Sequence, residues 1–543
     1  MLPSAAHLAQ PAPRRSFPTR RGLIPFGIVL ALLLNAGYNS PVPTSSAQAA
    51  EPTTRFRVQV DRGADLGQSF GTLFEAATAD RSLVVGAGFA NQYNTRLRGD
   101  RHAVQLFIRP AKPVRELTAQ ELPRPNRLCG TYLVARDEQL YSTSGGLTRW
   151  QPDSQTWTAE KDIGGTQESQ RVGEGVLEFG ESVVHYNGQP LLAPPAVGRF
   201  ERFFYALGRL CFYHVHRNDL PYRPFQSEED GFSRLYACPW QPGDPAIDLA
   251  RAETLRLPVV GETTFAWGQL GSRIVTGSNI GGFYEWEAGA WRMRREPTLG
   301  VSFQLYSSLA WGDRLLLGQY PTGRLFELAG TDLRDLPGWP PVPPGVSASV
   351  REAQSTVLYG GELFVGVWPW GELWRYHPDR KEWSLARRLF THPPLSNQVL
   401  HPYDAENQGN AVKNQWGQRV ASLVTVGDAL FASTSAKDPC EWRPEAEPFL
   451  APDKWRSYGA VHQLRMPGHL QAATRWTDGP TLFEFELRGA EVRISQDGRE
   501  LVRTTIDGEL GEQLRQRGPL SQVTWQQGLY GPFGGRSLRG TSE

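Results

Sequence analysis

The sequence has no excess of charge, little cysteine and few stretches with the periodicity of a long helix. Its 543 residues include 57 basic and 56 acidic side chains but only 4 cysteines. This charge balance does not suggest a nucleic-acid partner or an anionic membrane surface. Four cysteines allow at most two disulfides, and their spacing alone establishes neither. The scarcity of helical periodicity favours strands and turns.

Turn-forming and aromatic residues are plentiful instead. The chain contains 56 glycines, 42 prolines, 17 tryptophans and 17 tyrosines. Hydrophobic residues make up 40% and charged residues 21%, which is typical of a folded globular protein. We therefore expect an all-β chain with an ordinary hydrophobic core.

The N-terminus has the pattern of a targeting segment. Four arginines lie between residues 14 and 21, no acidic residue precedes Glu51, and the apolar run "LIPFGIVLALLLNAG" is short for a bilayer span. With "AQA" at 47–49 as the cleavage motif, residues 1–49 are predicted to be a removable signal peptide. The mature chain would then be periplasmic or secreted, with no membrane span. An uncleaved anchor is the alternative, and the export route stays open.

Two distant stretches carry the same pattern. "GGLTRWQPDSQTW" (145–157) and "GELWRYHPDRKEW" (371–383) share glycine, leucine, arginine, proline, aspartate and the final tryptophan. Elsewhere a tight glycine turn joins two apolar runs, as in "SLAWGDRLLLG" and "TVLYGGELFVG". Such turns and alternation are typical of β-hairpins. A unit of four short strands repeated at intervals above forty residues predicts the blade of a β-propeller.

Counting the hairpins gives the predicted number of blades. They lie near Leu83, Leu140, Leu210, Ile274, Leu315, Leu363 and Leu430. A further hairpin-like signal at 179–188 is close to the next one and is interpreted as an insertion. We therefore predict an all-β propeller of seven four-stranded blades over residues 50–470, with six or eight blades as alternatives.

The strongest unit, "LYGGELFVGVWPWGELWRYHPDRKEWSLA", resembles kelch-type propeller repeats. The resemblance includes the spacing from Tyr or Trp to Trp and extends over roughly 70–470. It implies a propeller fold and leaves function open, because kelch-like folds include both binding proteins and a copper oxidase. Residues 471–543 are expected to form C-terminal strands and a loose tail. Their alternating stretch 481–506 would either form a small appendage or pair with 54–63 to close the ring.

The turn lengths predict a plain face and an elaborated face. Turns between the first and second, and the third and fourth, strands of each unit are short. The long segments fall between the second and third strands or between units, at 86–101, 214–233, 391–414 and 432–455. Long loops on a rigid scaffold commonly carry function. The ligand site is therefore expected on the elaborated face.

Three aromatic residues in these loops are the candidate ligand-binding residues: Tyr320, Trp368 and Trp370. The "GVWPWG" loop would offer flat apolar area with a polar rim. The alternative is that the rings cap the hydrophobic edge of the sheets. The leading prediction is a non-catalytic binding scaffold whose ligand is a glycan or a protein. The alternative is a carbohydrate-cleaving enzyme that uses loop carboxylates as acid and base.

Other candidate chemistry is weaker. His214 and His216 share one face of a strand, but a third ligand with diagnostic spacing is missing, so no metal or cofactor is predicted. Cys211 and Cys238 lie on neighbouring strands and form a candidate disulfide. Cys129 and Cys440 are assigned to units separated by one blade and are not paired. No nucleophile elbow, phosphate loop or zinc-helix motif is present, so no catalytic residue is named.

The basic region, apolar core and "AQA" motif predict processing on export. In a bacterium with an intact secretion system, we expect the extracytoplasmic protein to begin near Ala50. N-terminal sequencing of that material measures this directly. An intact Met1 on exported protein would contradict cleavage.

Overall fold

In this computed structural model, antiparallel β-sheet is the main secondary structure of the described residues. The structure describes residues 52–61, 65–67, 71–94, 98–99, 102–112, 114–161, 169–217, 222–336, 338–339, 341–406, 414–476, 479–525 and 537–543. The predicted signal peptide lies outside these residues. Among them, no helix is long and apolar enough to cross a bilayer.

Seven of the described sheets share a core of four strands joined in antiparallel up-and-down order, and we number them along the chain. Six of them have these four strands alone, and sheet 5 carries two further short strands, Gln92–Asn94 and Arg98–Gly99. Sheet 1 contains Leu133–Arg136, Gln139–Ser142, Thr148–Gln151 and Thr156–Ala159; sheet 2 contains Ser169–Val172, Gly175–Phe179, Val184–Tyr186 and Gln189–Leu192. Sheet 3 contains Arg199–Ala206, Arg209–His216, Phe232–Pro239 and Glu253–Arg256; sheet 4 contains Thr264–Leu270, Arg273–Ser278, Phe283–Glu287 and Ala290–Arg295.

The remaining three follow the same plan. Sheet 5 contains Gln304–Trp311, Arg314–Tyr320, Leu325–Ala329 and Asp332–Asp335; sheet 6 contains Glu352–Tyr359, Glu362–Trp368, Glu372–His377 and Glu382–Arg388. Sheet 7 contains Arg419–Val426, Ala429–Ser435 and Val461–Arg465, and its fourth strand is Thr118–Leu122 from the other end of the chain. Leu122 pairs with Val461 in this last ladder.

The repeated thirteen-residue pattern is the outer hairpin of a sheet. It forms the third and fourth strands of sheets 1 and 6. Trp150 and Trp157 face each other across the first hairpin with ring centroids 5.3 Å apart, and Tyr376 and Trp383 do so across the second at 4.9 Å. Aromatic cross-strand pairs stabilise such hairpins. The sequence is therefore repeated because sheets 1 and 6 are completed by the same type of outer hairpin.

The first strands of successive sheets contact one another through side-chain hydrogen bonds. Ser308 Oγ of sheet 5 donates to the Trp267 carbonyl of sheet 4 at 2.6 Å. Ser355 Oγ of sheet 6 donates to the Val420 carbonyl of sheet 7 at 2.8 Å. The first strands therefore line a common centre, which is the architecture of a β-propeller.

The cycle of contacts closes between sheets 7 and 1. Ser422 Oγ of sheet 7 accepts from the Leu133 amide of sheet 1 at 3.0 Å. Arg171 of sheet 2 pairs with Asp137, in the first turn of sheet 1, at 2.7 Å. The last and first sheets of the chain are thus neighbours, and Thr118–Leu122 joins them.

Two five-stranded sheets pack face to face beside the propeller. In ladder order, sandwich sheet A contains Arg499–Thr505, Glu491–Gln496, Pro480–Arg488, Thr53–Asp61 and Ser537–Ser542. Sandwich sheet B contains His469–Ala473, Ala103–Pro110, Leu83–Phe89, Thr72–Thr78 and Leu520–Trp525. Their facing side chains form one core, in which the rings of Phe56 and Phe74 stack 4.4 Å apart.

Two of the predicted hairpin assignments are wrong. The hairpin near Leu83 belongs to sandwich sheet B, whereas the supposed insertion at 179–188 is part of sheet 2. Apolar and polar residues alternate in the same way along the strands of a propeller blade and of a sandwich, so this pattern does not distinguish the two. The alternating C-terminal stretch does pair with 53–61, but it does so in sandwich sheet A.

The sandwich covers the face of the propeller that has short turns. Arg115, which follows sandwich sheet B, donates to the Gly360 carbonyl at 2.6 Å and pairs with Glu362 at 2.6 Å, both at the first turn of sheet 6. Arg109 pairs with Asp379 in the outer turn of that sheet at 2.6 Å. The plain face is therefore a docking face inside the protein.

Part of the segment 86–101, which the sequence predicts to be a surface loop, enters the propeller at Gln92–Asn94. Gln92–Asn94 forms a ladder with the first strand of sheet 5 and continues into Arg98–Gly99. Gln92 Nε2 donates to the Leu423 carbonyl of sheet 7 at 2.9 Å, and Tyr93 packs on Phe204 of sheet 3. This segment contacts three different sheets and therefore occupies the centre of the ring.

The remaining elements are short. Arg223–Pro224 pairs with Val259–Val260, a single 3-10 turn spans Leu249–Arg251, and the helices are Pro402–Glu406, Pro452–Trp455 and Gly508–Gln516. Two of the helices lie in the long loops of the elaborated face.

Burial of the closing strand predicts a specific stability effect. Leu122 is 4% exposed in a cluster with Leu133 and Val461. Leu122→Ala should lower the free energy of unfolding by about 2–5 kcal/mol, because it removes buried methyl groups and leaves a cavity. Chemical denaturation measures this. Leu385→Ala, in the fourth strand of sheet 6 and 42% exposed, is the matched control and should change it by about 0.5 kcal/mol or less. Equal destabilisation by Leu122→Ala and Leu385→Ala would contradict the conclusion that burial of the closing strand stabilises the propeller.

Candidate functional site

The innermost strands of sheets 5, 6 and 7 bring six side chains together at the elaborated face. We call them the mouth cluster: Tyr306, Tyr320, Glu352, Trp368, Arg419 and Lys437. Three are at the beginning of a first strand, two end a second strand, and Lys437 follows the second strand of sheet 7. These strand ends meet on the same face because successive strands of a blade run in opposite directions.

A buried ion pair forms the base of the cluster. Arg419 Nη2 lies 2.9 Å from Glu352 Oε2, and Arg419 also donates to the Lys437 carbonyl. Both side chains are almost fully buried. Glu352 Oε1 and Arg419 Nε have no hydrogen-bond partner in the described protein. Buried polar groups are normally satisfied, so these atoms indicate a place for water or a ligand.

Tyr320, Trp368 and Lys437 pack against one another above this pair. The rings of Tyr320 and Trp368 have centroids 6.1 Å apart. Lys437 Nζ lies 5.8 Å from the centroid of the Tyr320 ring and 5.5 Å from that of the Trp368 ring. A cation over aromatic faces is attracted by the ring quadrupole. The arrangement therefore holds an ammonium group at the mouth of the propeller.

Tyr306 extends the cluster toward sheets 3 and 4. Its ring stacks on Phe265 at 5.0 Å with an interplanar angle of 9°, and Arg202 lies 4.6 Å above the other ring. The Tyr306 hydroxyl donates to Gln304 Oε1 at 2.8 Å. Polar and aromatic groups thus line the mouth from sheet 3 to sheet 7.

The surroundings change the proton affinity of these groups. Burial lowers the pKa of Lys437, and the nearby Arg419 cation lowers it further. Burial raises the pKa of Tyr320, as does the carboxylate of Glu352. The phenol is therefore neutral near pH 7, and the ammonium group is a better proton donor than an exposed lysine.

The tryptophans do not form the exposed platform that the sequence suggested. Trp368 and Trp370 are each 1% exposed, so neither offers a free ring face in this conformation. The Trp368 indole packs so closely on the backbone of Gly417 that a Cβ there would lie 2.2 Å from Nε1. Tyr320 is the only one of the three candidates that is partly exposed.

The structure also separates the two tryptophans. Trp370 lies away from the mouth cluster, with its ring 5.0 Å from that of His401 and the Arg388 guanidinium 5.6 Å away. Burial lowers the pKa of His401 to about 3, so this imidazole is neutral. Trp370 therefore helps anchor the part of the 391–414 loop around His401.

The predicted disulfide between Cys211 and Cys238 is wrong. In the ladder, Cys211 faces Ala237 while Cys238 faces Leu210. This offset of one residue places the two side chains on opposite faces of sheet 3, where they enter different hydrophobic clusters. Both thiols are free and buried.

Several of the other candidates have structural partners. His214 hydrogen-bonds the Val197 carbonyl at 2.7 Å. Asp404 is buried and accepts from the Trp416 amide at 2.8 Å, and Glu228 pairs with Arg234 at 2.5 Å. These contacts assign the three side chains to holding loops in place.

A second acidic group is buried near the centre of the ring. Glu262, just before sheet 4, accepts a hydrogen bond from the Tyr284 hydroxyl at 2.6 Å, and its Oε2 has no partner in the described protein. Burial raises the pKa of Glu262 to about 7. A carboxyl group with this pKa titrates in the physiological range.

Sequence reasoning missed Glu352, Arg419 and Lys437. Glu352 begins the first strand of sheet 6, Arg419 begins the first strand of sheet 7, and Lys437 follows the second strand of sheet 7. The three side chains come together only when sheets 6 and 7 pack against each other. A usable signal was the charged residue at the beginning of an otherwise apolar first strand, as in "REAQSTVLYG" and "QRVASLVTVG". Buried charges at such places are costly unless they are paired.

Comparison with known proteins adds little beyond the fold. No family model and no curated protein sequence matches the chain. The WD40 β-propeller domain of Doa1 is similar in structure, with 11% identity and a TM-score of 0.36, over 65% of this chain and 97% of that one. BamB from Moraxella catarrhalis has 12% identity and a TM-score of 0.31, over 75% and 96%. At such scores these likenesses carry no argument about function.

The burial of Glu262 predicts a pH-dependent stability. Its folded pKa of about 7 lies above the ordinary value of 4.5, so its protonated form favours the folded state. This contribution is complete below about pH 4.5 and is lost as the pH rises through 7, with a maximum near 3 kcal/mol. Glu262→Gln imitates the protonated form. Denaturation at pH 5 and pH 8 should therefore show a smaller loss of stability in the variant than in the wild type.

Burial also raises the pKa of Asp404 to about 6, so both proteins should lose some stability over this range. The test is therefore the difference between the stability that the wild type loses from pH 5 to pH 8 and the stability that the Glu262→Gln variant loses over the same range. Parallel loss in the variant and the wild type would contradict the raised pKa of Glu262.

Proposed function

We propose that this chain is an exported, non-catalytic binding scaffold whose mouth cluster receives a carboxylate-bearing segment of another protein. One observation carries the proposal. Tyr306, Tyr320 and Lys437 are partly exposed above a buried ion pair that retains unpartnered polar atoms. The propeller fold is compatible with a binding role in general, and the specific ligand is inferred from this site alone.

The hydrogen-bonding groups of the site favour an acceptor-rich ligand. Arg419 Nε is a donor without a partner in the described protein, and Lys437 adds an ammonium group. Glu352 Oε1 is the one unpartnered acceptor of the cluster. A carboxylate accepts from several donors at once, and charge-assisted hydrogen bonds of this kind are strong.

The ring geometry favours a protein segment over a glycan. Sugar rings bind by stacking on free aromatic faces. The Tyr306 ring is already stacked on Phe265, Lys437 lies over Tyr320 and Trp368, and both candidate tryptophans are buried. A peptide side chain or terminus needs only the polar groups of the mouth. We therefore propose a peptide ligand, and glycans are included in the binding experiment as the alternative ligand.

Lys437→Gln should weaken such binding by about tenfold, because it removes the ammonium donor while the Lys437 backbone carbonyl still accepts from Arg419. Lys381→Gln is the matched control, since Lys381 is exposed in the outer turn of sheet 6 on the opposite face. The measurement is fluorescence-anisotropy titration with a library of acidic peptides, each with a free and an amidated C-terminus.

Neutral and uronic-acid glycans should be titrated in parallel, with thermal melts to show that both variants are folded. Weaker peptide binding in Lys437→Gln alone supports the proposal. Glycan binding that is equal in both variants, or glycan cleavage during the titration, would overturn it. Cleavage would instead favour the carbohydrate-cleaving enzyme.

A further inference from the structure

Cys129 and Cys440 meet where the two ends of the propeller come together. Cys129 lies between the closing strand Thr118–Leu122 and sheet 1, and Cys440 lies in the long loop of sheet 7. Both contribute to one hydrophobic cluster, Cys129 as a fully buried member and Cys440 as a partly exposed one. Each thiol changes the proton affinity of the other: Cys440 raises the pKa of Cys129, and Cys129 lowers the pKa of Cys440.

The backbone on each side holds the pair in register. The Cys129 amide donates to the Cys440 carbonyl at 2.7 Å, and the Ala436 amide donates to the Cys129 carbonyl at 2.8 Å. Isolated antiparallel bridges join Leu128 to Glu441 and Gly130 to Ser435 on either side. Close approach of two cysteines on a fixed backbone is the geometric requirement for a disulfide.

We propose that Cys129 and Cys440 form a disulfide that covalently closes the ring of blades. The bond would join residues 311 positions apart, across the seam that the closing strand otherwise holds by hydrogen bonds and packing. The proposal does not depend on the ligand or the mouth cluster. It uses the proposed export only in that disulfides persist in oxidising compartments.

The structure assigns different roles to the two sulfurs. Cys440 is the partly exposed one, and the hydrogen bond from the Cys129 thiol lowers its pKa. Cys440 loses its proton, and its thiolate attacks an external disulfide, either oxidised glutathione or the disulfide form of a thiol–disulfide oxidoreductase. This breaks the external disulfide bond, and the displaced sulfur takes up a proton and leaves as a thiol. Cys129 then loses its proton and attacks the Cys440 sulfur, which releases the second external thiol. The protein loses two electrons and two protons, and the external disulfide gains them.

Charged side chains of both signs surround the pair. The Arg124 guanidinium lies 4.0 Å from the Trp455 ring and donates to the Leu128 carbonyl at 2.6 Å, next to Cys129. Arg443 lowers the pKa of Cys440, whereas burial, Glu447 and Asp438 raise it. The net lowering of this pKa therefore comes chiefly from the hydrogen bond with Cys129.

The disulfide can be tested by peptide mapping of the full mature chain. After incubation with oxidised glutathione, trypsin digestion without reductant should yield "LCGTYLVAR" linked to "DPCEWRPEAEPFLAPDK". A thiol assay under denaturing conditions should find two free thiols per chain after oxidation and four after dithiothreitol. The oxidised protein should melt roughly 3–6 °C above the reduced protein.

Two variants complete the test. Cys440→Ser should remove the linked peptide and the effect of dithiothreitol on melting, whereas Cys238→Ala, the control, should retain both. Four free thiols after oxidation, or a linkage between other cysteines, would overturn the proposal. A linked peptide with no effect of reduction on melting would overturn its role in closing the ring. Because mapping uses the wild-type chain, a variant that fails to fold leaves the test valid.

Discussion

The pairing of Thr118–Leu122 with Val461–Arg465 is the contact on which the rest of the structure depends. Each propeller sheet buries its faces against two neighbours, so an open ring would expose apolar surface on both sides of the gap. The two strands that meet are more than three hundred residues apart in sequence. The conformational entropy lost in bringing these two strands together is offset by the packing of all the sheets in the closed ring.

The same two chain segments build the sandwich. Sandwich sheet B pairs His469–Ala473, which follows the seam, with Ala103–Pro110, which precedes it. Arg115 then joins the sandwich to sheet 6 through Glu362. Burial alone would raise the pKa of Glu362, but the guanidinium groups of Arg375 and Arg115 more than offset it and hold that pKa below its ordinary value. Seam and sandwich are thus parts of one folded unit.

This arrangement explains which face remains for a ligand. The short turns between first and second strands are covered by the sandwich, and Gln92–Asn94 occupies the centre of the ring. Gln471 of sandwich sheet B donates to Glu138 in the first turn of sheet 1 at 2.8 Å. This bond also holds the sandwich against the face with short turns. The elaborated face carries the mouth cluster and the long loops, so binding is expected there.

Local features of the fold could be predicted from the sequence. The hairpin turns and the outer aromatic pairs Trp150–Trp157 and Tyr376–Trp383 depend on residues close in the chain, and the repeat displays them directly. The propeller architecture follows from that repeat.

Features that depend on distant pairing could not be predicted, apart from the pairing of the C-terminal stretch with 53–61, which was one of two alternatives. The hairpin near Leu83 has the same local pattern whether it joins a blade or a sandwich. If that hairpin formed a blade, it would separate Cys129 from Cys440 in the ring, whereas in the structure the two residues are adjacent. The mouth cluster was missed for a related reason, since Glu352 and Arg419 become neighbours only when sheets 6 and 7 pack together.

Amide hydrogen exchange at the seam tests the central claim most directly. If the ring is closed by Thr118–Leu122, the amides that bond this strand to Val461–Arg465 should open only with global unfolding. They should then exchange as slowly as those between Glu362–Trp368 and Glu372–His377 of sheet 6, which are adjacent in sequence. Seam amides that exchange at the rate of exposed loops, while those of sheet 6 remain protected, would contradict a closed ring.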